Sequence, residues 1–324
     1  MVAVVAVVAT ARENRSRTTQ TLHLLPLGFH PVTPAQPAGG RMDQAQPVDS
    51  HVHSEWSWDA PAGSMMGSCA RAVELGLPGV AFTEHLDFTT FAIALDGPYA
   101  SDHLTSLASP DGQLSPPAFD VVGFMEAIED CRQRFPDLKI FSGLEMGQPH
   151  WHPAEFSAVL EAGRFDRVLG SLHCLPDGDQ FAEPWLLYPH WDAATLVRDY
   201  LADIPRLMAS DIAFTVLAHI DYPIRFWPTE TAGPFDPKAF EDEFRAALRA
   251  TAESGRALEI NTRIPLHSTI LAWWRDEGGD AVTFGSDAHL PDFVGHEFRD
   301  ASQMAEAYGF RPGRSPYDFW GRVD

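Results

Sequence analysis

Cysteine, cationic side chains and long apolar runs are all scarce in this sequence. Its three cysteines, Cys69, Cys131 and Cys174, show no paired spacing. No disulfide framework is expected, and a reducing cytoplasm is the compartment that fits. Lysine and arginine number 23 against 45 aspartates and glutamates, a formal charge of −22. Affinity for a phosphate backbone comes from lysine and arginine, so long nucleic acids are not expected as partners. The apolar run Val2–Ala9 is too short to span a bilayer. It also lacks the cationic stretch of a signal peptide, so no membrane association is expected. Glycine-rich dinucleotide turns are absent as well, which removes the simplest nucleotide-cofactor reading.

What is present suits an enzyme. The 324 residues are 45% hydrophobic and 21% charged, as in a soluble globular domain able to bury one large core or two modest ones. Residues 1–44 read as a disordered N-terminal extension, because Ala11 to Arg41 is rich in Arg, Thr, Pro and Gly without period. Met42 opens the segment that runs into the first strand and is a candidate start of translation, which mass spectrometry of the native N-terminus settles. Residues 45–324 read as one domain. Beyond Val48, short apolar runs alternate with amphipathic ones. Helices are predicted over 64–75, 118–135 and 192–209, the last kinked or broken at Pro205, and another follows the Asp236-Pro237 cap. Strands are predicted at Val48, 79–83, 138–143, 166–170, 212–218, 258–260 and 281–284. Seven strands alternating with helices make an α/β protein with a parallel sheet, and a closed barrel is favoured over an open one.

Barrels of this kind keep their chemistry at the carboxyl ends of the strands. The predicted strands end in His51, His53 and Asp59; in Glu84, His85 and Asp87; in Glu145; in His173; in His219 and Asp221; in Glu259, Asn261 and Arg263; and in Asp287 and His289. A single histidine at a strand end is commonly just a hydrogen-bonded surface or core residue. Polar groups at every strand end point instead to one shared metal centre, since imidazole and carboxylate are the usual ligands of zinc, iron and manganese. His103, His150, His152, His190, His267 and His296 lack this placement and read as structural or solvated. Cys174 reads as a small buried residue. Trp56 and Trp58 could wall a pocket or merely pack.

The ordered set His51-Val-His53, Thr83-Glu-His85, Gly143-Leu-Glu145, Gly170-Ser-Leu-His173, His219-Ile-Asp221 and Gly285-Ser-Asp287-Ala-His289 resembles the motifs of the polymerase-and-histidinol-phosphatase (PHP) superfamily, over about 48–307. Within it, the wording is most similar to histidinol phosphatases. The resemblance implies a distorted seven-stranded (β/α)7 barrel and two to three divalent ions (Zn, Mn or Fe). One ion would be held by His51, His53, Glu145 and Asp287, and a second by the bridging Glu145 with His173 and His219. The third would use His85, His289 and Asp59, where many members offer a histidine in the first loop. Arg225 and Arg263 resemble the family's phosphate-holding arginines. The implied reaction is hydrolysis of histidinol phosphate, with Glu145 bridging the metal pair whose shared hydroxide attacks phosphorus. A nucleotide phosphoesterase or exonuclease is the alternative, and a metal-binding module without turnover a third reading. The expected partner is a small phosphorylated substrate. Its amine could be drawn by Glu55 or Asp87, and the long segment 88–117 is expected to cap the entrance.

Overall fold

Seven short, almost fully buried segments carry the architecture of the computed structural model, which describes residues 46–97 and 100–323. The expected extension over 1–44 and the choice between Met1 and Met42 lie outside these residues. The barrel strands are β1 (Asp49–Val52), β2 (Gly79–Asp87), β3 (Lys139–Gly147), β4 (Arg167–Ser171), β5 (Val216–Leu217), β6 (Ala257–Asn261) and β7 (Ala281–Gly285). Each pairs in parallel with the next, and β7 pairs back onto β1 through Asp49 and Phe284, closing the barrel. Strands buried on both faces read as continuous apolar runs, which is how 80–82 and 168–169 appear in the sequence.

Helices pack their apolar faces against this barrel. In α1 (Met65–Leu75), Met65, Ser68, Cys69 and Ala72 are the buried side, at helical spacing. Ser64 caps it by accepting the Gly67 N–H, and Gly76 ends it at φ 71°, a left-handed conformation that favours glycine. The predicted helix over 192–209 is Ala193–Met208, and Pro205 does not break it. The proline sits in the last turn, where little helix remains to be disrupted. Asp236-Pro237 caps a 3₁₀ turn (Pro237–Phe240) before the α-helix begins at Glu241.

Three expectations shift. β2 and β3 are each nine residues long and pair along their whole length, Gly79↔Lys139 through Asp87↔Gly147. His85 and Glu145 therefore lie inside paired strands rather than just beyond them. β5 is only two residues, much shorter than 212–218. The segment 88–117 is also less loop-like than expected. It contains strands Phe91–Ala92 and Gln113–Leu114 and helix Asp102–Leu107. These join the hairpin Leu175–Asp177/Gln180–Ala182 in a second, four-stranded sheet, with its own small core of Phe91, Ile93, Leu104, Leu114 and Cys174.

Close strand approach depends on Gly143. A β-carbon there would lie 2.5 Å from the Arg167 carbonyl oxygen and 2.8 Å from Thr83 Cγ2. Gly143→Ala should therefore destabilise the protein by about 1–3 kcal/mol, read by urea unfolding. A loss below about 0.5 kcal/mol, the range of an ordinary surface change, would show that β2 and β4 yield easily.

Candidate metal centre

The barrel brings the strand-end groups together. Successive strand residues alternate in direction, so His51 and His53 face the same side. The β1 ladder continues past the strand: the His53 N–H donates to the Ala288 carbonyl, and the Asp287 N–H to that of His51, both at 2.8 Å. Those bonds carry Asp287 and His289 alongside. His85 is the register partner of Glu145. His219 and Asp287 have φ of 21° and 54°, unusual values for residues other than glycine.

Glu145 is the hub. Its Oε1 lies 2.6 Å from His219 Nε2 and 3.0 Å from His173 Nε2. Its Oε2 lies 3.0 Å from His51 Nε2, 3.3 Å from His53 Nε2 and 3.3 Å from His85 Nδ1. The far nitrogens of three of these rings are already committed, that of His173 to Asp87 Oδ1 at 3.4 Å. His51 Nδ1 is 2.6 Å from Glu259 Oε1. His53 Nδ1 is 3.0 Å from Ser57 Oγ, whose own proton goes to Glu84 at 2.6 Å. Ser57 must accept, so His53 carries a proton on Nδ1, which leaves Nε2, 3.0 Å from His51 Nε2, as the atom that can face a metal. Carboxylates fixing the outer nitrogen of a ligating histidine are the usual support of a metal site.

Among the described residues, three groups of potential ligand atoms each lie within 4.8 Å of one another: His51, His53 and Asp287; His85, Glu145 and His173; and His53, His85 and His289. All nine expected ligands are adjacent, although His85 rather than His219 groups with Glu145 and His173. Asp59 Oδ2 reaches His289 Nε2 at 3.1 Å and His85 Nε2 at 3.4 Å. Its Oδ1 and His85 Nδ1 are buried without a hydrogen-bond partner, as ligand atoms facing a cation would be.

Electrostatics agree with the geometry. Burial works against charge on Glu145, but the imidazoles of His51, His173, His85 and His219 hold its carboxyl well below the usual range. Asp287 is likewise held low against burial by Arg225, His51 and Arg263. Burial pushes His85 down to about 4, and also lowers His219 and His289, leaving neutral rings with lone pairs to give. His53 goes the other way, to about 9, because Asp287 and Glu145 outweigh its burial. The carboxylates thus demand positive charge at the His51–His53 position, which protons and a divalent ion can each supply.

The centre lines a cavity of about 300 Å³. Arg225 and Arg263 border it, and both hold Asp287: Arg225 Nη2 at 2.6 Å from Oδ2, Arg263 Nη1 at 3.3 Å from Oδ1. Trp58 lines the cavity and donates to Asp87 at 3.0 Å, whereas Trp56 packs edge-on to Phe124. His103, expected to be structural or solvated, bonds the Trp58 carbonyl at 2.6 Å and also borders the cavity. Of the other histidines, His150 pairs with Asp203, His152 with Thr89 and His190 with Asp177, and His267 caps a helix. Glu55 accepts the Met65 N–H at the start of α1 and is not among the cavity's walls. Glu259 was visible in the sequence only as a strand-end residue, though its alternation with Asn261 on β6 marks it as inward-facing. Ser57 and Glu183 went unnoticed.

A family model for the PHP domain matches residues 49–263. The chain belongs to the PHP family. Curated relatives include the histidinol-phosphatase of Lactococcus lactis subsp. lactis, 26% identical over 75% of this chain and 84% of the relative. A probable histidinol-phosphatase of Deinococcus radiodurans is 29% identical over 81% and 94%. Among solved structures, histidinol phosphate phosphatase from Lactococcus lactis, complexed with zinc, L-histidinol and phosphate, superimposes with a TM-score of 0.68 at 24% identity, covering 82% of this chain and 94% of that one. The putative histidinol phosphatase of Listeria monocytogenes gives 0.61 at 16% identity, over 78% and 99%. Those two likenesses bear on the fold, a PHP-type (β/α)7 barrel.

Glu145→Gln should abolish turnover and cut bound metal together, by elemental analysis of the purified protein. Glu259→Gln, which leaves every ligand in place, should weaken metal binding about 10- to 100-fold in competition with a chromophoric chelator. An unchanged affinity would mean that His51 needs no such support.

Proposed function

We propose that this protein is a metal-dependent phosphomonoesterase whose substrate is L-histidinol phosphate, cleaved to L-histidinol and phosphate. One observation carries the reaction class: a cluster of imidazoles and carboxylates around Glu145 shares a single cavity with two arginines. The named relatives favour the substrate. We assign His51, His53, Glu145 and Asp287 to one ion, Glu145, His173 and His219 to a second, and Asp59, His85 and His289 to a third. Two to three ions are proposed, with zinc, manganese or iron as candidates.

When bound, such ions lower the pKa of coordinated water and neutralise phosphate charge. The chain's own residues supply the rest. Arg225 and Arg263 have N–H groups at the cavity wall, and planar guanidinium groups suit phosphate oxygens. Asp287 keeps both arginines beside the metal ligands. Glu259, Ser57 and Glu84 hold His51 and His53 in the tautomers that ligation needs. Trp58 and the second sheet narrow the entrance, excluding water and strengthening every charge interaction inside. Among the described residues, no helix is long and apolar enough to cross a membrane. Cys69, Cys131 and Cys174 are all free thiols, and we place the protein in the cytoplasm on that ground.

The test is a comparison of kcat/KM for histidinol phosphate, mononucleotides and a dinucleotide, with metal-loaded and chelator-stripped protein. Histidinol phosphate should lead, and stripping should remove activity that zinc or manganese restores. A preference of about 100-fold for nucleotides, ~2.7 kcal/mol, would instead favour a nucleotide phosphoesterase. Activity surviving chelation would reject the metal-dependent reaction.

A further inference from the structure

We propose that Glu183 anchors a cationic group on the alcohol half of the substrate, and so decides which phosphate esters are good ones. The proposal builds on the phosphomonoesterase reading and adds what recognises the part of the molecule that leaves. Phosphate chemistry accounts for one side of the cavity only. The cavity is also lined by Trp58, Phe91, Cys174, Tyr222 and Phe226, with Glu183 among them.

Glu183 is 9% exposed, and its bonds are lopsided. Both of its hydrogen-bond donors use the same oxygen: Trp185 Nε1 at 2.7 Å and the Tyr222 hydroxyl at 3.0 Å from Oε2. Among the described residues nothing is bonded to Oε1. A carboxylate can accept up to about four hydrogen bonds, so Glu183, which lines the cavity, keeps the capacity of Oε1 for a ligand of opposite charge. The other carboxylates of the cavity are occupied or misplaced. Glu145 and Asp59 face the imidazoles, and Asp287 is held by the arginines. Asp87 accepts from Trp58 and lies 3.4 Å from His173. Asp102 is exposed, in the first turn of its short helix.

Position completes the case. The Tyr222 ring centre is 5.0 Å from that of His219 and 5.4 Å from that of His173, while its hydroxyl touches Glu183. The carboxylate therefore stands one aromatic ring away from the imidazoles around Glu145, within the span of one small molecule. Nearby aromatic rings add favourable contacts for a cation or a cationic ring. An ammonium or imidazolium group would satisfy Oε1. A neutral aryl group would leave it unpaired, and a second phosphate would be repelled.

The experiment compares wild type with Glu183→Gln, each metal-loaded, on cationic esters (histidinol phosphate and phosphoethanolamine) and on neutral p-nitrophenyl phosphate. KM for the cationic esters should rise about 10- to 100-fold in the variant, the usual loss for a charge-assisted bond. The neutral ester should change less than about threefold, and metal content should be unaltered. Inhibition by free histidinol should weaken in parallel, while inhibition by inorganic phosphate persists. Equal losses on both ester classes would reduce Glu183 to a brace between Trp185 and Tyr222, and no loss on either would remove it from recognition. Both results overturn the proposal. If histidinol phosphate is no better than phosphoethanolamine for the wild type, the histidinol assignment fails, yet the ratio of cationic to neutral esters still decides the role of Glu183.

Discussion

A buried carboxylate surrounded by imidazoles is the constraint on which the molecule depends. Glu145 has no access to solvent, and five histidines from four places in the chain converge on its two oxygens. Such a cluster cannot be stabilised by packing, because burial penalises every charge in it. Its components are held by the barrel's register and by outer partners such as Glu259, and they are compatible only if cationic charge sits among them. Removing an outer partner and removing a ligand therefore touch the same balance of charge.

The backbone shows where that arrangement is costly. His219 and Asp287 both have positive φ, a conformation costing on the order of 1–3 kcal/mol for a residue with a β-carbon. Asp287 is kept there by its N–H bond to His51 and by two arginines, and the His219 N–H donates to Glu259 at 2.8 Å. Glu259 thus serves both an imidazole on β1 and the backbone after β5. Asp49 acts similarly at the barrel's seam, accepting from the N–H groups of Ser286 and Gly295.

Much of this was legible in the sequence, for a physical reason. Strands of a parallel barrel are mostly apolar until they emerge, so the polar residues that follow each run mark the emerging end. The rule located His51, His85, Glu145, His173, His219 and Asp287 without coordinates. It misjudged where β2 and β3 end, because pairing with neighbours, not hydrophobicity, carries those strands four more residues. It could not see Glu183 at all. That residue follows a hairpin whose position depends on pairing with Phe91–Ala92, some ninety residues earlier, and no local pattern encodes such a partnership. The interior of segment 88–117 was opaque for the same reason: two-residue strands have no period to read.

On the proposed roles, the second sheet stands apart from the residues of hydrolysis and bears on substrate choice. Its strands come from two stretches, 91–114 and 175–182, joined by the pairing of Ala92 with Ala182 and by a shared small core, while the proposed ligands lie on the barrel strands and the loops just beyond them. A lineage could thus remodel which alcohols it accepts without disturbing the catalytic core, provided that both stretches changed in concert. Transplanting one of them alone would strand an unmatched edge at the rim. Transplanted together, they amount to an exchangeable lip on a constant vessel.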